Sequence, residues 1–322
     1  MMEVKKAKRE QIKVPIMITG ASGSGKTVSA LLIAKGIVEK KFPDMSAEEQ
    51  WEKIGLIDTE HKRALLYADT TVAKTEIGEF LHVDFEPPFT VNRYIEAFEA
   101  LKEASVEVVI VDSLTHAWSG EGGILEQVET IQKGNPKMQM MAWNRVKPLE
   151  KQFLNLVTGS SVYVIGTARS KQAYDMNKTD GKTQVVKMGL KPDQKDSLEY
   201  EFAISIRIDQ DHIAEATKDN SNLFGTPFEV TPEVGQKIYE WSSEGIDLEK
   251  VKRETIQTIN DLKSLTPEHE KMFTELHSKV KSAPLETLPI KLLERMVDLL
   301  GNIEIKEDEP KPEEVSEEND GQ

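Results

Sequence analysis

Residues 20–27 read GASGSGKT and fill every fixed position of the pattern G-x-x-x-x-G-K-[ST]. A loop that wraps a polyphosphate must aim several backbone N–H groups inward, and Gly20, Gly23 and Gly25 permit the dihedrals and close approach this needs. Lys26 is expected to reach the β- and γ-phosphates, and the Thr27 hydroxyl to hold Mg²⁺. The flanks carry as much weight as the pattern. Ile12 to Thr19 (IKVPIMIT) predicts a buried strand. Lys26 to Lys40 places Val28, Leu31, Leu32, Ile37 and Val38 on a helical period. Strand, glycine loop and helix in that order set phosphate on a helix N-terminus. A flexible Gly/Ser turn that matches by accident lacks such flanks. The expected nucleotide contacts are Gly20, Ala21, Ser22, Gly23, Ser24, Gly25, Lys26, Thr27 and Val28.

Composition narrows the remaining possibilities. With 322 residues the chain has room for one large α/β domain and a small appendage, and 38% apolar residues suffice for a core. The basic N-terminus (MMEVKKAKRE) has no apolar stretch behind it, and no run approaches the ~18 apolar residues of a membrane span. A cytoplasmic location and no membrane partner are therefore expected. The absence of cysteine excludes disulfides, thiolate catalysis and cysteine zinc sites. The formal charge of −15 argues against a protein that coats DNA uniformly. Residues 304–322 contain nine acids and two lysines, so −7 of that charge sits in one tail, which is expected to be disordered.

Strand signals recur along the chain: IGLID ending at Asp58, Phe80 to Phe85, Glu107 to Asp112 (EVVIVD), Ser161 to Thr167, and a hairpin of Tyr200 to Ile208 with His212 to Thr217. The near-continuous apolar runs belong to a parallel sheet covered on both faces. Thr90 caps an expected helix over Val91 to Ala104. Strands alternating with helices predict a doubly wound sheet whose ligands lie at the carboxyl ends of the strands. Three amphipathic segments follow, about 247–263, 267–282 and 287–300, with caps at Asp247 and Thr266 and a stripe of Leu285, Leu288, Leu292, Met296 and Leu299. The expected organisation is a basic arm (1–11), an ATPase core (12–245), a helical appendage (246–302) and the acidic tail (303–322).

Asp112 ends the VVIV strand, where a carboxylate beside a phosphate loop holds Mg²⁺ through water and orients Thr27; alone, a strand-end Asp is as readily a turn cap. Glu60 closes the strand after the first crossover, where a carboxylate can polarise the water that attacks a γ-phosphate. The alternative is a surface glutamate. His61, His269 and His277 read as solvated, and no metal-ligand spacing links the six histidines.

The segments IDTEH, VVIVDSLTHAWSGEGG and VIGTARSK, in that order, resemble the core of the RecA family of recombination ATPases. With PPFT (87–90) and TKDNSNLF (217–224) the chain is similar, over roughly 12–245, to phage-encoded RecA-like ATPases of the AAA-domain family, found beside single-strand annealing and replication genes. The resemblance implies a RecA-like P-loop NTPase core with a mostly parallel sheet, helices on both faces, and ATP and Mg²⁺ as cofactors. It makes Glu60 the catalytic glutamate. Thr167, with Arg169 close by, falls where the family senses the γ-phosphate, usually through a glutamine. Relatives carry a basic pair on the last core strand that reaches a neighbour's γ-phosphate. Here Lys218 is kept but Asn220 stands where arginine is expected, so Lys218 alone is left to act in trans and slow hydrolysis is expected.

Arg169 to Lys195 holds seven basic and three acidic residues in an acidic chain. Taken alone, this is a solvated loop or a β-hairpin lid around Asp180-Gly181. The resemblance makes it a single-stranded-DNA loop using Arg169, Lys171, Tyr174, Lys178, Lys182 and Lys187, with phosphates on the cations and a base on the tyrosine. Trp118 to Lys137, with four glycines, is a second and less basic candidate loop, while Met138, Met140, Met141 and Trp143 read as helix packing.

The leading expectation is a DNA-dependent ATPase of phage recombination or replication. It assembles as a ring or filament with ATP between subunits, and a single-strand-binding or annealing protein is a possible partner. An ATP-switched DNA-loading or annealing scaffold with little hydrolysis, and a P-loop nucleotide kinase, remain the alternatives.

Overall fold

The computed structural model describes residues 6–72, 74–179, 182–195 and 197–303, with the backbone alone for 172–190. The chain divides into two units: Gln11–Glu244, and a second that joins the N-terminal segment to the residues from Gly245 onward.

In the larger unit, β1 (Pro15–Gly20) leads through the glycine loop into α1 (Lys26–Lys41). Then come α2 (Ala47–Trp51), started by a Ser46/Glu49 capping box, and β2 (Ile54–Asp58). A small hairpin of β3 (Thr70–Val72) and β4 (Thr75–Ile77) precedes β5 (Leu81–Asp84). Next are α3 (Val91–Glu103), β6 (Val108–Asp112), α4 (Leu114–Ser119), α5 (Ile124–Gln132) and α6 (Gln139–Thr158). The unit closes with β7 (Tyr163–Thr179), β8 (Lys182–Pro192), β9 (Ile204–Ile208), β10 (Ile213–Asp219), β11 (Phe228–Glu229) and α7 (Pro232–Ser242).

The main sheet runs β11-β10-β9-β1-β7-β6-β2-β5, with β8 attached to β7. From β9 to β5 the strands are parallel; β10 and β11 are antiparallel at one edge. β7, late in sequence, therefore lies between β1 and β6 and brings its end beside both. Burial explains the unbroken apolar runs: Ile16 and Ile18 face α1 and α7 on one side, and Met17 faces α3, α4 and α6 on the other. α1 and α7 approach so closely that a Cβ on Gly36 would lie 1.8 Å from the Pro232 carbonyl, and one on Gly235 would lie 2.0 Å from that of Ile33. Only glycine fits at that crossing.

Several expectations are corrected here. β1 starts at Pro15 rather than Ile12, because the Ile12 N–H is spent on the Ser242 carbonyl at 3.0 Å outside the ladder. The stretch after Thr167 is not the loop that the resemblance implies but the β-hairpin that stood as its alternative. β7 continues to Thr179 and pairs antiparallel with β8, from Ser170↔Pro192 to Thr179↔Lys182. The Thr, Val and Val at 183, 185 and 186 suit a strand, and the flanking Lys182 and Lys187 hide that pattern. The candidate second loop contains the end of α4 and the whole of α5. Met140 and Met141 are exposed rather than packed, whereas Trp143 lies 6.0 Å from Trp118.

In the second unit, α8 (Leu248–Lys263), α9 (Pro267–Lys279) and α10 (Ile290–Gly301) enclose Ile259, Phe273, Leu293, Met296 and Leu300. Asp247 accepts from the Lys250 N–H at 2.8 Å, and Thr266 from that of His269 at 3.4 Å. Of the expected stripe, Leu288 and Met296 are buried and Leu285 and Leu292 pack against the same core; Leu299 is exposed instead, and Leu293 and Leu300 are buried in addition. His269 is also buried rather than solvated, with its Nδ1 2.8 Å from the Thr266 hydroxyl.

Candidate nucleotide site

A cavity of about 690 Å³ opens at the carboxyl end of the sheet, at the start of α1. Gly23 and Gly25 have φ of 83° and 91°, so the loop depends on glycine at both positions. α1 has no side-chain cap and no acid in its first turn, which leaves its leading N–H groups to an anion. Ser22, Gly23, Gly25, Lys26, Thr27 and Val28 line this cavity, whereas Ser24 is fully buried beneath it. Lys26 Nζ donates to the Ala21 carbonyl at 2.8 Å. Burial draws its pKa below the ordinary lysine value, against the pull of Asp112 and Glu60. Val28, Leu32, Tyr67, Val72 and Val230 form an apolar end suited to a nucleoside.

Asp112 is fully buried at the end of β6. The hydroxyls of Thr27 and Thr167 donate to its two carboxylate oxygens, each at 2.5 Å. Burial pushes its carboxyl up, the two hydroxyls oppose this, and Glu60 and Asp58 add to the rise. A carboxylate and a hydroxyl at this separation are hard oxygen donors of the kind Mg²⁺ takes.

Glu60 follows β2, which pairs with β6 so that Asp58 stands opposite Asp112. Arg169 forks onto Glu60, with Nε 2.8 Å from Oε1 and Nη2 on Oε2, and the Ser113 hydroxyl lies 3.3 Å from Oε1. Burial alone would raise the Glu60 pKa; the hydrogen bonds and charge of Arg169 outweigh it and hold the carboxyl below its usual range.

Three groups have supporting roles that the sequence did not assign to them. The Asp58 carboxylate ties down the turn that carries Glu60 by accepting from the N–H groups of Glu60 (2.7 Å) and Ala64 (3.1 Å), with His82 Nε2 at 3.3 Å. His116 Nδ1 lies 2.6 Å from the Thr59 hydroxyl, which also receives the Ser113 N–H at 2.7 Å. His212, at the β9–β10 turn, donates from Nδ1 to the Ser24 carbonyl at 3.0 Å and covers Gly25. The Asp-Gln-Asp turn at 209–211 signalled a hairpin; only the strand order places it over the loop.

The expected DNA contacts divide. Arg169 belongs to this cavity and is paired with Glu60, because β7 sits between β1 and β6. Lys171 is exposed and paired with Asp193 at 2.6 Å. The side chains of Tyr174, Lys178, Lys182 and Lys187 lie outside the described residues. Lys218 is not brought to its own subunit's site. It pairs with Ser205 near the start of β9, whereas the phosphate loop meets that strand's end at Gly20↔Ile208, and its Nζ donates to the Tyr200 carbonyl at 2.5 Å.

A family model described as an AAA domain matches residues 12–239, most of the larger unit. The chain belongs to the AAA domain family. No curated protein matches it. Membership of the AAA domain family brings nucleotide binding and ATPase activity of the P-loop type, and the mixed α/β core with its mostly parallel sheet agrees with that fold. The family implies ATP and typically Mg²⁺, which the donors above fit. Among the described residues no helix is long and apolar enough to cross a membrane.

Proposed function

We propose that this AAA domain protein is a RecA-like ATPase that acts on single-stranded DNA in phage recombination or replication, assembled as a ring or filament with ATP at subunit interfaces. The observation that carries the reading is the position of Arg169. It pairs with Glu60 inside the nucleotide cavity and stands at the root of the β7–β8 ribbon, whose surrounding segment carries seven basic and three acidic residues in an otherwise acidic chain. A basic ribbon suits a phosphate backbone and an aromatic residue on it suits a base. Nucleotide state and DNA contact then share one residue.

In turnover the loop N–H groups and Lys26 hold the phosphate oxygens, and Thr27 with Asp112 holds Mg²⁺, which supplies charge neutralisation. Glu60 accepts a proton from the attacking water. Thr167, on the same carboxylate as Thr27, reports the state of the γ-phosphate side. Lys218, remote from its own cavity, serves a neighbouring subunit in trans.

The test is ATP hydrolysis by the full chain with and without a single-stranded oligonucleotide. Stimulation of several-fold, rising with protein concentration as subunits assemble, is the expected result. ATP binding with no DNA-dependent turnover overturns the motor reading and favours the ATP-switched loading scaffold, for which the lone Lys218 without a second cation at Asn220 is the supporting observation.

A further inference from the structure

We propose that Arg169 is a positioning residue that closes the Glu60 carboxylate in the resting protein, and that single-stranded DNA on the β7–β8 ribbon opens the pair and so licenses hydrolysis. The inference rests on the proposed role of Glu60 as base and goes beyond it by naming what keeps that base idle.

A general base needs a lone pair facing its water and a basicity matched to the working pH. The Glu60 carboxylate offers about four acceptor positions. Arg169 engages both of its oxygens, and Ser113 approaches one of them. A forked guanidinium–carboxylate pair also makes the carboxylate a weaker base. In this arrangement Glu60 is well placed and poorly able to take a proton.

The mechanical link lies in the main chain. Arg169 is the last residue of β7 in register with β1, at Gly20, and the next residue, Ser170, begins the ladder with β8 at Pro192. The Arg169 N–H donates to the Thr115 hydroxyl at 3.0 Å, and its carbonyl accepts from the N–H of Asp193, just past β8, at 2.6 Å. A shift of the ribbon root is therefore a shift of Arg169. Beside it, the exposed Lys171–Asp193 pair is open to competition from a phosphate. The Arg169 side chain is 43% exposed against 13% for Glu60, so the arginine is the partner that water can receive on opening.

The experiment compares wild type with Arg169→Gln as full chains, measuring ATP turnover with and without a single-stranded oligonucleotide, KM for ATP, and the pH profile of kcat. Arg169→Gln is expected to raise DNA-free kcat roughly three- to tenfold and to lose most DNA stimulation. The acid limb of its kcat profile should move to higher pH as Glu60 regains basicity. A variant that is merely less well folded would lower kcat and leave that limb in place. DNA-free kcat that stays at or falls below the wild-type value, with ATP still bound, overturns the proposal. If wild type is DNA-stimulated and Arg169→Gln is not activated, the closed pair fails while the proposed function survives. If wild type ignores DNA yet Arg169→Gln is activated, the closed pair stands and the DNA-dependent motor fails.

Discussion

Where β1 and β6 begin, Lys13 and Lys41 share the carboxylate of Glu107, Lys41 at 2.5 Å, and Lys13 also lies 4.8 Å over the Tyr163 ring. Where the same two strands end, Lys26 turns to a backbone carbonyl, and Asp112 is surrounded by hydroxyls with two further carboxylates nearby. Both ends bury charge of both signs. At the first, Lys13, Lys41 and Glu107 form one ionic cluster, although burial still draws Lys41 below its ordinary value. At the second, burial pushes Asp112 up and Lys26 down, each toward its neutral form. The first end is organised for stability and the second for chemistry, at some loss of stability.

That contrast can be broken by substitution. Glu60→Gln, which keeps the shape but cannot take a proton, should lower kcat by about 10²–10⁴-fold with ATP binding retained; retained turnover would remove Glu60 from the mechanism. At the opposite end, Glu107→Gln leaves two half-buried lysines sharing a neutral group. It should cost about 1–3 kcal/mol in denaturant unfolding, with turnover per folded molecule unchanged. If its activity falls with its stability, the two ends are not separable.

Asp112→Asn should abolish turnover yet raise Tm by about 2–4 °C, the scale of 1 kcal/mol in a unit of this size, by removing a buried charge. A fall in Tm would mean that the two threonine hydroxyls compensate the carboxylate fully. The smallest effect concerns acid. Asp58 and Glu60 are both held below the ordinary carboxylate range, Asp58 by His82 and two backbone N–H groups against burial. Their contribution is present at neutral pH and is lost as pH falls below about 4 through their lowered values. Acid unfolding of Asp58→Asn should accordingly be less steep than that of the wild type.

The fold was legible where periodicity is local. β2, α1, α3 and the capped α8 and α9 lie within a few residues of their expected places, since apolar spacing and cap residues act over one or two turns. The β7–β8 ribbon was legible only as one of two alternatives, a solvated loop or a β-hairpin around Asp180-Gly181, because lysines, a glycine and a proline dilute its strand character and its partner strand supplies the missing hydrogen bonds. The leucine stripe held except at Leu299, because the 3₁₀ turn between Pro284 and Pro289 separates Leu285 and Leu288 from α10 and resets the phase of the helix that follows.

What the amino-acid sequence determined by itself was the phosphate loop and its strand–helix flanks, because glycine dihedrals, a helix N-terminus and one lysine are properties of neighbouring residues. It also marked Asp112 and Glu60 as strand-end carboxylates. The tertiary structure alone decided which groups meet them. By inserting β7 between β1 and β6 it sets Thr167 on Asp112 and Arg169 on Glu60, the latter across 109 residues of chain. Strand order follows from burying both faces of the whole sheet at once, a condition that no local segment carries.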